Sequence, residues 1–358
     1  MKTLTLEQAQ KMMAVNGGDL DLAYTPIESL PEGLTVGGGL WLEGSKIKSL
    51  PKGLEVGGTL DLENTPIESL PEGLTVGWNL YLSGSKVKSL PKGLKVRGNL
   101  YLRNTPIESL PEGLTVGGGL YLGGSKIKSL PQDLKVGGDL NLAYTPIESL
   151  PEGLKVRGHL DLANTPIEAL PEGLVVGGYL WLRGSKVATL PDGITVCGDI
   201  YTDFDYDETK VHRPKDGEVF QKDGHTFIFV DGILTVVKSI HKVGGYTFYK
   251  GNLPWNNVIT DGEEFAHCKN IRDGIADLAF KKAKNRGQCQ YKDVSLDDEF
   301  TVPELVVMYR IITGACKAGS EAFVSSLGEL KERYSVREAI EITEGQYNAG
   351  AFAQFFGQ

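Results

Sequence analysis

Apolar residues recur with a period of 20 along the first two hundred positions of the chain. Each unit has six apolar positions, as in residues 40–56, and a Leu-Pro pair recurs nine times between residues 30 and 191 without insertion or deletion. The Leu-x-Leu at the start of each unit has the two-residue period of a short β-strand. Proline and glycine in the rest of the unit oppose helix, so we expect an extended or 3₁₀ return. The pattern therefore predicts a solenoid of stacked coils.

This repeat resembles the leucine-rich repeat in its short bacterial form, which has Leu-Pro-x-x-Leu in the returning segment. The resemblance covers residues 17–201 and implies a β-solenoid of about ten coils with parallel strands on its concave face. The chain departs from the family where the repeat usually has asparagine, because threonine or serine stands there from Thr25 to Ser185. A hydroxyl can bond the backbone of the neighbouring coil, but more weakly than an amide. We therefore expect the same solenoid with altered curvature.

A second period of 40 residues lies over the first, because coils that carry glutamate alternate with coils that carry lysine. One column of equivalent positions reads Glu28, Lys48, Glu68, Lys88, Glu108, Lys128 and Glu148. Stacked coils lie about 4.8 Å apart, so opposite charges become neighbours along the stack. Exposed ion pairs contribute only about 0–1 kcal/mol each. We interpret the column as a means of avoiding like-charge contacts and fixing the register.

The residue between the two leucines of each strand must point outward on the concave face. Six of these ten residues are aromatic. The aromatic and arginine candidates for partner binding are Trp41, Tyr81, Tyr101, Tyr121, Trp181, Tyr179, Arg103 and Arg183. Such residues are enriched at interface hot spots, so we expect this face to bind a protein or peptide, with glycan stacking as a weaker option. The alternative is that the rings only cover the sheet and support their cross-strand neighbours.

The remainder of the chain is built differently. All 12 Phe lie beyond residue 200, whereas 31 of the 46 Gly lie at or before it. Residues 1–16 are predicted to form a capping helix, and the polar residues 202–216 are predicted to form a linker. Residues 217–358 are predicted to form an α+β domain. Its elements are a four-stranded antiparallel meander within 218–250, marked by Asp-Gly and Gly-Gly turns, and helices near 271–285, 302–313, 316–328, 335–344 and 348–356.

Residues 258–358 resemble the C-terminal region of uncharacterised proteins encoded by bacteriophages and prophages. The resemblance rests on Tyr309-Arg-x-Ile-Thr-Gly-Ala-Cys316, on Thr343-x-Gly-Gln-Tyr347 and on the terminal aromatic residues from Phe352 onward. It implies a phage or mobile-element origin and carries no activity. The leading hypothesis is a non-enzymatic recognition protein that binds a host protein, with inhibition of a host or defence factor as a natural use.

The alternative hypothesis is a cysteine-dependent hydrolase or transferase that the repeats direct to its target. Cys316 stands at a predicted helix start, where the helix dipole would lower the pKa of its thiol. His267 could serve as its base, with Asp273 or Asp277 orienting the ring. A buried, inert cysteine is the commoner role. We expect no metal and no cofactor, because the chain has no Cys-x-x-Cys pair and no phosphate-binding glycine loop.

Charge and hydropathy exclude several function classes. The net charge is −9, with 18 basic and 22 acidic residues over positions 1–200, so we expect no nucleic-acid binding. No apolar run approaches the roughly 18 residues of a membrane span, and the N-terminus does not read as a signal peptide. The four cysteines are scattered, which favours free thiols in a reducing compartment. We therefore expect a cytoplasmic protein that does not contact membrane, and its oligomeric state stays open.

Overall fold

A computed structural model describes residues 2–251, 256–315, 317–327 and 330–357. The chain divides into two compact units, Met1–Leu234 and Thr235–Gln358. The first unit contains all the repeats, and the second contains most of the helices. Within the described ranges, no helix combines the length and the apolar character needed to cross a lipid bilayer.

The Leu-x-Leu segments form one parallel sheet of ten strands, which we call the front sheet. Its strands are Leu20–Asp21, Leu40–Trp41, Leu60–Asp61, Leu80–Tyr81, Leu100–Tyr101, Leu120–Tyr121, Leu140–Asn141, Leu160–Asp161, Leu180–Trp181 and Ile200–Tyr201. Neighbouring strands pair residues that are 20 positions apart, as Leu40 pairs with Leu60. The prediction of about ten stacked coils with parallel strands is confirmed.

The returning half of each coil is extended and forms further parallel strands, which we call the back sheets. The first back sheet has the six strands Thr35–Val36, Glu55–Val56, Thr75–Val76, Lys95–Val96, Thr115–Val116 and Lys135–Val136. The second has the four strands Lys155–Val156, Val175–Val176, Ile194–Val196 and Val211–His212. Residues 17–201 are all described and contain no helix, so the predicted extended return is confirmed.

The solenoid core is a stack of aliphatic side chains between the front and back sheets. In residues 40–56, none of the six repeating apolar side chains is more than 8% exposed. Burial of one such side chain contributes about 1.5–3 kcal/mol, so the repeated pattern accounts for the stability of each coil against its neighbours.

Neighbouring coils approach closely at the glycines that precede each front strand. A Cβ atom added at Gly57 would lie 2.3 Å from the carbonyl oxygen of Gly37, and one at Gly137 would lie 1.9 Å from that of Gly117. These distances leave no room for a side chain in that backbone conformation. The repeated glycines therefore follow from the tight stacking of the coils.

Part of the predicted charge column forms ion pairs between coils. Lys88 contacts Glu68 at 2.8 Å, and both side chains are exposed. At the two ends the pairing changes, since Lys2 contacts Glu28 at 3.1 Å and Lys186 contacts Glu168 at 3.6 Å. Exposed pairs of this kind add little to the free energy of unfolding. This agrees with a role in aligning each coil with the next.

Helix α1 (Leu6–Val15) lies against the first coil. Thr5 caps it, with a reciprocal hydrogen bond to Gln8. Ala9 is fully buried, and the partly buried Met12 and Met13 pack against the leucine core. The first coil is thus covered on the side where no preceding coil exists, as stacked repeats require.

A hairpin covers part of the second back sheet. It consists of strands β1 (Val219–Lys222) and β2 (His225–Val230). The Lys222 ammonium donates to the carbonyl oxygen of Gly193 at 2.6 Å. Val175 is fully buried, whereas Thr115 at the equivalent position of an earlier coil is exposed. The outward residues of the last coils therefore lie under a second layer.

Residues 202–216, predicted as a linker, extend the solenoid instead of leaving it. After a short 3₁₀ helix, Glu208–Lys210, the strand Val211–His212 pairs in parallel with Ile194 and Thr195. Val211 joins the leucine core. Phe204 and Tyr206 are partly buried and pack against the same core, so the mainly polar composition of this segment concealed apolar residues that continue the solenoid.

The four strands predicted between residues 218 and 250 are present, and two more follow them. After β1 and β2 come β3 (Ile233–Val243) and β4 (Tyr246–Gly251), and the additional strands are β5 (Asn257–Thr260) and β6 (Phe265–Cys268). Strands β3 to β6 pair antiparallel in chain order. The prediction placed no strand between residue 250 and the helix near 271, but a short turn at Asp261-Gly262 lets β5 and β6 pair there.

The helices of the second unit agree with the sequence pattern. They are α2 (Ile271–Arg286), α3 (Val302–Thr313), α4 (Lys317–Ser326), α5 (Val336–Ile342) and α6 (Ala349–Phe355). A 3₁₀ helix spans Gln288–Tyr291, and strands β7 (Glu299–Thr301) and β8 (Arg333–Ser335) pair with each other. Leu278 of α2 packs on the sheet beside Phe248 and Ile259. A second cluster around Met308 and Phe352 joins α3, α5 and α6.

Candidate functional site

Three tyrosines on the outward face of the front sheet form a continuous stack, which we call the tyrosine stack. The ring centroids of Tyr81 and Tyr101 are 4.4 Å apart, and those of Tyr101 and Tyr121 are 4.7 Å apart. The ring planes deviate by only 2° and 6°. The 20-residue register places equivalent residues one strand spacing apart, so parallel stacking of the rings follows directly from the repeat.

The tyrosine stack has polar partners on both flanks. The Asn99 side-chain amide donates to the Tyr101 hydroxyl at 2.9 Å, and the Tyr121 hydroxyl donates to Asp139 at 3.0 Å. The Arg103 guanidinium lies 5.3 Å from the Tyr121 ring centroid, within cation–π range. Burial, followed by the nearby Asp139 charge, raises the pKa of Tyr121 to about 12.

A second group of rings, which we call the C-terminal aromatic cluster, comprises His159, Tyr179, Trp181 and Tyr201. Trp181 and Tyr201 stack with centroids 5.8 Å apart, and the Arg183 guanidinium lies 5.8 Å from the Tyr201 ring. Tyr179 meets Trp181 edge-on at 5.6 Å. The structure therefore brings most of the predicted binding residues into two groups. Trp41 stands apart, because Asp61 lies between it and the tyrosine stack.

The stacked rings stabilise the solenoid and also form part of its outward surface. Aromatic pairs contribute about 0.5–1.5 kcal/mol beyond their burial, and the tyrosines that flank Tyr101 cover both of its faces. All three tyrosines remain half-buried. Support of neighbouring strands, the alternative role for these residues, therefore explains why the ring faces contact each other. The ring edges stay accessible.

The polar flank of the face bonds neighbouring coils together. Asn79 accepts from the backbone N–H of Asn99 at 2.8 Å, and Asn99 accepts from that of Gly119 at 2.7 Å. His159 Nδ1 accepts from the backbone N–H of Tyr179 at 2.9 Å. Where the position before the Leu-x-Leu is Asp, Asn or His, at Asp19, Asn79, Asn99, Asp139 and His159, its side chain therefore makes the bond between coils that was expected of the threonine and serine column.

The expectation that the threonine and serine hydroxyls bond the neighbouring coil is wrong. The Thr105 hydroxyl donates to the carbonyl oxygen of Leu102 in its own coil, at 2.8 Å, and Thr65 repeats this bond with Leu62. A hydroxyl on a short side chain reaches the backbone three residues earlier more readily than the next coil. The recurring Asn, Asp and His before the strand was the signal that sequence reasoning missed.

Asp61 is the one acidic residue of the outward column that is buried, with 9% exposure. Its carboxylate accepts from the backbone N–H of Glu63 at 2.9 Å. Burial raises the pKa of Asp61 to about 6, and the charges of Glu63 and Glu43 add to this effect. An ionisable group that titrates near neutrality thus lies between Trp41 and Tyr81.

Trp78 is an exposed aromatic residue that sequence reasoning missed. It occupies a position that is glycine in the eight equivalent places from Gly38 to Gly198, and it is 57% exposed. At Gly58 an added Cβ would lie 2.8 Å from the backbone of Gly38, so a side chain in this column is crowded. Trp78 therefore departs from the glycine that close packing of the coils favours at this position. Such departures from a local rule are expected at functional sites.

Of the residues proposed for the enzyme alternative, His267, Asp273 and Asp277 lie in the described part of the second unit. Cys316 lies outside the described residues, and His267 lies half-buried on β6. Asp277 accepts from the Lys317 ammonium at 2.7 Å, and Asp273 is bonded to Asn270. Burial raises the pKa of the Cys268 thiol to about 11. Across the described ranges, no group of three or more His, Cys, Asp or Glu side chains is arranged to hold a metal ion.

The second unit contains a cavity of about 410 Å³ between α3, α4 and α5. Its apolar lining includes Leu305, Val306, Phe323, Val324, Leu327 and Ile342. Ligand cavities of this size usually carry a few polar groups that fix the orientation of the ligand. Ser320, Thr343 and Gln346 supply polar groups, and none of the described lining residues is charged. None of the binding residues predicted from the sequence lines this cavity, so the front sheet remains the candidate site that the sequence and the structure share.

No protein-family model matches the chain, and the search of curated proteins returned no match. Among solved structures, the chain matches YopM, described as a leucine-rich effector protein from Yersinia pestis. The sequences are 17% identical, the match covers 54% of this chain and 75% of that chain, and the TM-score is 0.32. The fold assignment rests on the 20-residue register, the parallel front sheet and the buried leucine columns. Residues 17–201 form a leucine-rich-repeat-like β-solenoid.

Proposed function

We propose that the chain is a non-enzymatic protein-recognition module whose front sheet binds a protein or peptide. The observation that carries this proposal is the tyrosine stack, with centroid spacings of 4.4 and 4.7 Å. Rings fixed in this way lose little conformational freedom when a partner binds, which favours affinity. The C-terminal aromatic cluster adds a second anchor on the same sheet.

The dimensions of this surface suit a macromolecule better than a small ligand. From Tyr81 to Tyr201 the face crosses six strand spacings, or about 29 Å. A standard protein interface covers about 800 Å² on each partner, whereas small ligands bind in concave pockets. An open strip of rings and arginines fits the first case.

The proposal extends to a partner from a bacterial host. The resemblance of residues 258–358 to bacteriophage proteins supports this extension and is its only support. In that setting, binding would inhibit or redirect a host protein, a defence factor included. We also propose that nucleic acid is not a ligand, because the face carries more acidic than basic residues.

Replacement of Tyr81, Tyr101 and Tyr121 by alanine tests the proposal. We expect affinity capture from bacterial lysate, quantified by mass spectrometry, to lose the specific partner by at least about tenfold, as loss of a hot spot predicts. The matched control is Tyr144→Ala, which removes a ring that is 70% exposed and lies outside the strands. Undiminished capture by a triple variant that still melts cooperatively would contradict the proposal.

The enzyme alternative has a separate test. If Cys316 were a nucleophile, its thiol would react with iodoacetamide at neutral pH much faster than an ordinary cysteine. The Cys316→Ala variant supplies the background from Cys197, Cys268 and Cys289. We expect no fast reaction, as the recognition proposal requires.

A further inference from the structure

We infer that the partner of the front sheet is a cationic protein segment, with arginine or lysine side chains that bind over the aromatic strip. This inference rests on the proposed function, because it names the chemistry of the partner for the same face. It comes from the distribution of charge around the solenoid, which the sequence pattern alone did not connect to a surface.

We define the face positions as the residue between the two leucines of each front strand and the alternate residues before and after that pair. Between residues 19 and 201 these positions hold eight acidic residues and two arginines, Arg103 and Arg183, and no lysine. The acidic residues are Asp19, Asp21, Glu43, Asp61, Glu63, Asp139, Asp161 and Asp199. All twelve lysines of residues 17–201 lie elsewhere on the coils.

The other surfaces of the solenoid are nearly neutral. Outside the face positions, residues 17–201 hold 13 acidic and 14 basic residues. The negative charge of the repeats is therefore concentrated on the front sheet. A surface with charges of one sign attracts an oppositely charged partner and speeds its association.

The aromatic rings of this face already bind cations within the chain. Arg103 lies over Tyr121 and Arg183 lies over Tyr201, with guanidinium-to-centroid distances of 5.3 and 5.8 Å. The π face of an aromatic ring is electronegative and attracts guanidinium more readily than it attracts an anion. Both ring groups of the front sheet thus present geometry that accommodates arginine.

The first four coils are the part of the face where a cation from the partner would find the most favourable contacts. Among the described residues, the cations that lie within cation–π range of a ring face are over Tyr121, Phe227, Tyr201, Phe280 and Tyr334, and none is over Trp41 or Tyr81. These rings flank Asp61, and the half-buried Glu43 and Glu63 lie on the same edge. A guanidinium placed there would lie close to both rings and to the carboxylates of Glu43 and Glu63, so we place the basic end of the partner at these coils.

The inference is tested on the full chain with short fluorescent peptides as probes. Three peptides of equal length alternate serine with arginine, with lysine or with glutamate, and binding is followed by fluorescence anisotropy. We expect the arginine peptide to bind more tightly than the lysine peptide and the glutamate peptide not to bind. Raising NaCl from about 50 to about 300 mM should weaken binding severalfold, because the Debye length falls from about 14 to about 6 Å.

A pair of charge variants separates the face from general electrostatics. We expect binding of the arginine peptide to fall by at least about fivefold in the variant with Asp21→Asn, Glu43→Gln and Glu63→Gln. The matched control removes the same charge from exposed positions outside the face, with Glu32→Gln, Glu55→Gln and Glu72→Gln. The control variant should bind as the unchanged protein does. Circular dichroism melting confirms that both variants are folded.

Two results would overturn the inference. Equal weakening in the two charge variants would mean that the peptides respond to net charge and not to the face. Absence of basic-peptide binding at low salt would exclude a cationic partner. Neither result would contradict the proposed function, because lysate capture with the tyrosine variant is measured independently. Loss of capture in that variant, together with absent peptide binding, would leave recognition in place with a partner of different chemistry.

Discussion

Asp61 shows how one residue of the repeat acquires its own chemistry. It stands in the same outward column as Asp21 and Asp161, and each of the three accepts a hydrogen bond from the backbone two residues later. Asp61 alone of the three is buried, between Trp41 and Tyr81. Its burial between two aromatic rings is therefore the main cause of its raised pKa.

Titration of Asp61 should be visible in the stability of the protein. Its pKa is about 6 in the folded protein against an ordinary value of 3.8, so folding favours the protonated form. Stability should rise as the pH falls through about 6 and level off near the ordinary value. Asp61→Asn should raise the unfolding free energy at pH 7 by about 1–3 kcal/mol and flatten its dependence on pH. Urea denaturation at pH 7 and pH 5 measures both effects.

The control for this prediction is Asp21→Asn. Asp21 is exposed and accepts the equivalent bond, from the backbone N–H of Ala23 at 3.0 Å. The change should leave stability nearly unaltered at both values of pH. If Asp61→Asn behaved in the same way, the carboxylate of Asp61 would be solvated and not buried.

The predictions about single residues that failed are those that depended on how far a side chain can reach. Threonine at the family's asparagine position suggested a bond to the next coil, but Thr105 and the equivalent threonines bond within their own coil. Asn79 and Asn99, which precede the front strands, make the bond between coils. Sequence alone places a polar residue in a column, but whether its side chain bonds to the next coil depends on the length of that side chain and on its position in the turn.

At the scale of elements, repetition explains what could be predicted. Nine in-register copies defined each strand and turn several times over, so the solenoid followed from the sequence. The antiparallel strands after residue 254 occur once and are only four residues each, so no pattern could separate them from loop. The hairpin cover on the second back sheet also occurs once. Its signal was Val175, an apolar residue where other coils carry threonine, glutamate or lysine.

The hairpin cover makes a prediction about this position. Val175→Lys would place an ammonium group under β1 and β2, and we expect a loss of about 2–4 kcal/mol in unfolding free energy. Thr115→Lys is the matched control, because Thr115 is exposed in the same column and Lys95 and Lys135 flank it. Urea denaturation measures the loss, and trypsin cleavage at Lys222 reports release of the hairpin. Equal stability of the two variants would show that the hairpin does not cover this strand.

At the scale of the whole molecule, the first unit gains its stability from contacts between successive coils. Each front strand pairs only with the strands 20 residues away on either side. Stability in such arrays is approximately a sum of nearest-neighbour terms. The central coils have neighbours on both sides, whereas the first coil has α1 on one side.

Hydrogen exchange should therefore vary along the solenoid. We expect the backbone amides of Leu100 and Leu120 to exchange more slowly than that of Leu20, because opening near an end breaks fewer contacts. Deuterium uptake measured by mass spectrometry on peptides from each coil checks this gradient. Uniform protection from the first coil to the last would indicate that the array opens as a single unit.

The constant register has a consequence for how such a protein changes over generations. Because strands pair at a fixed interval of 20 residues and the Glu and Lys coils alternate, a segment of 40 residues is interchangeable with its neighbour. Recombination between two copies would add or remove a pair of coils without altering the fit of those that remain. The reach of the surface can thus be lengthened or shortened by a single genetic event, while its rings and charges are exchanged one coil at a time.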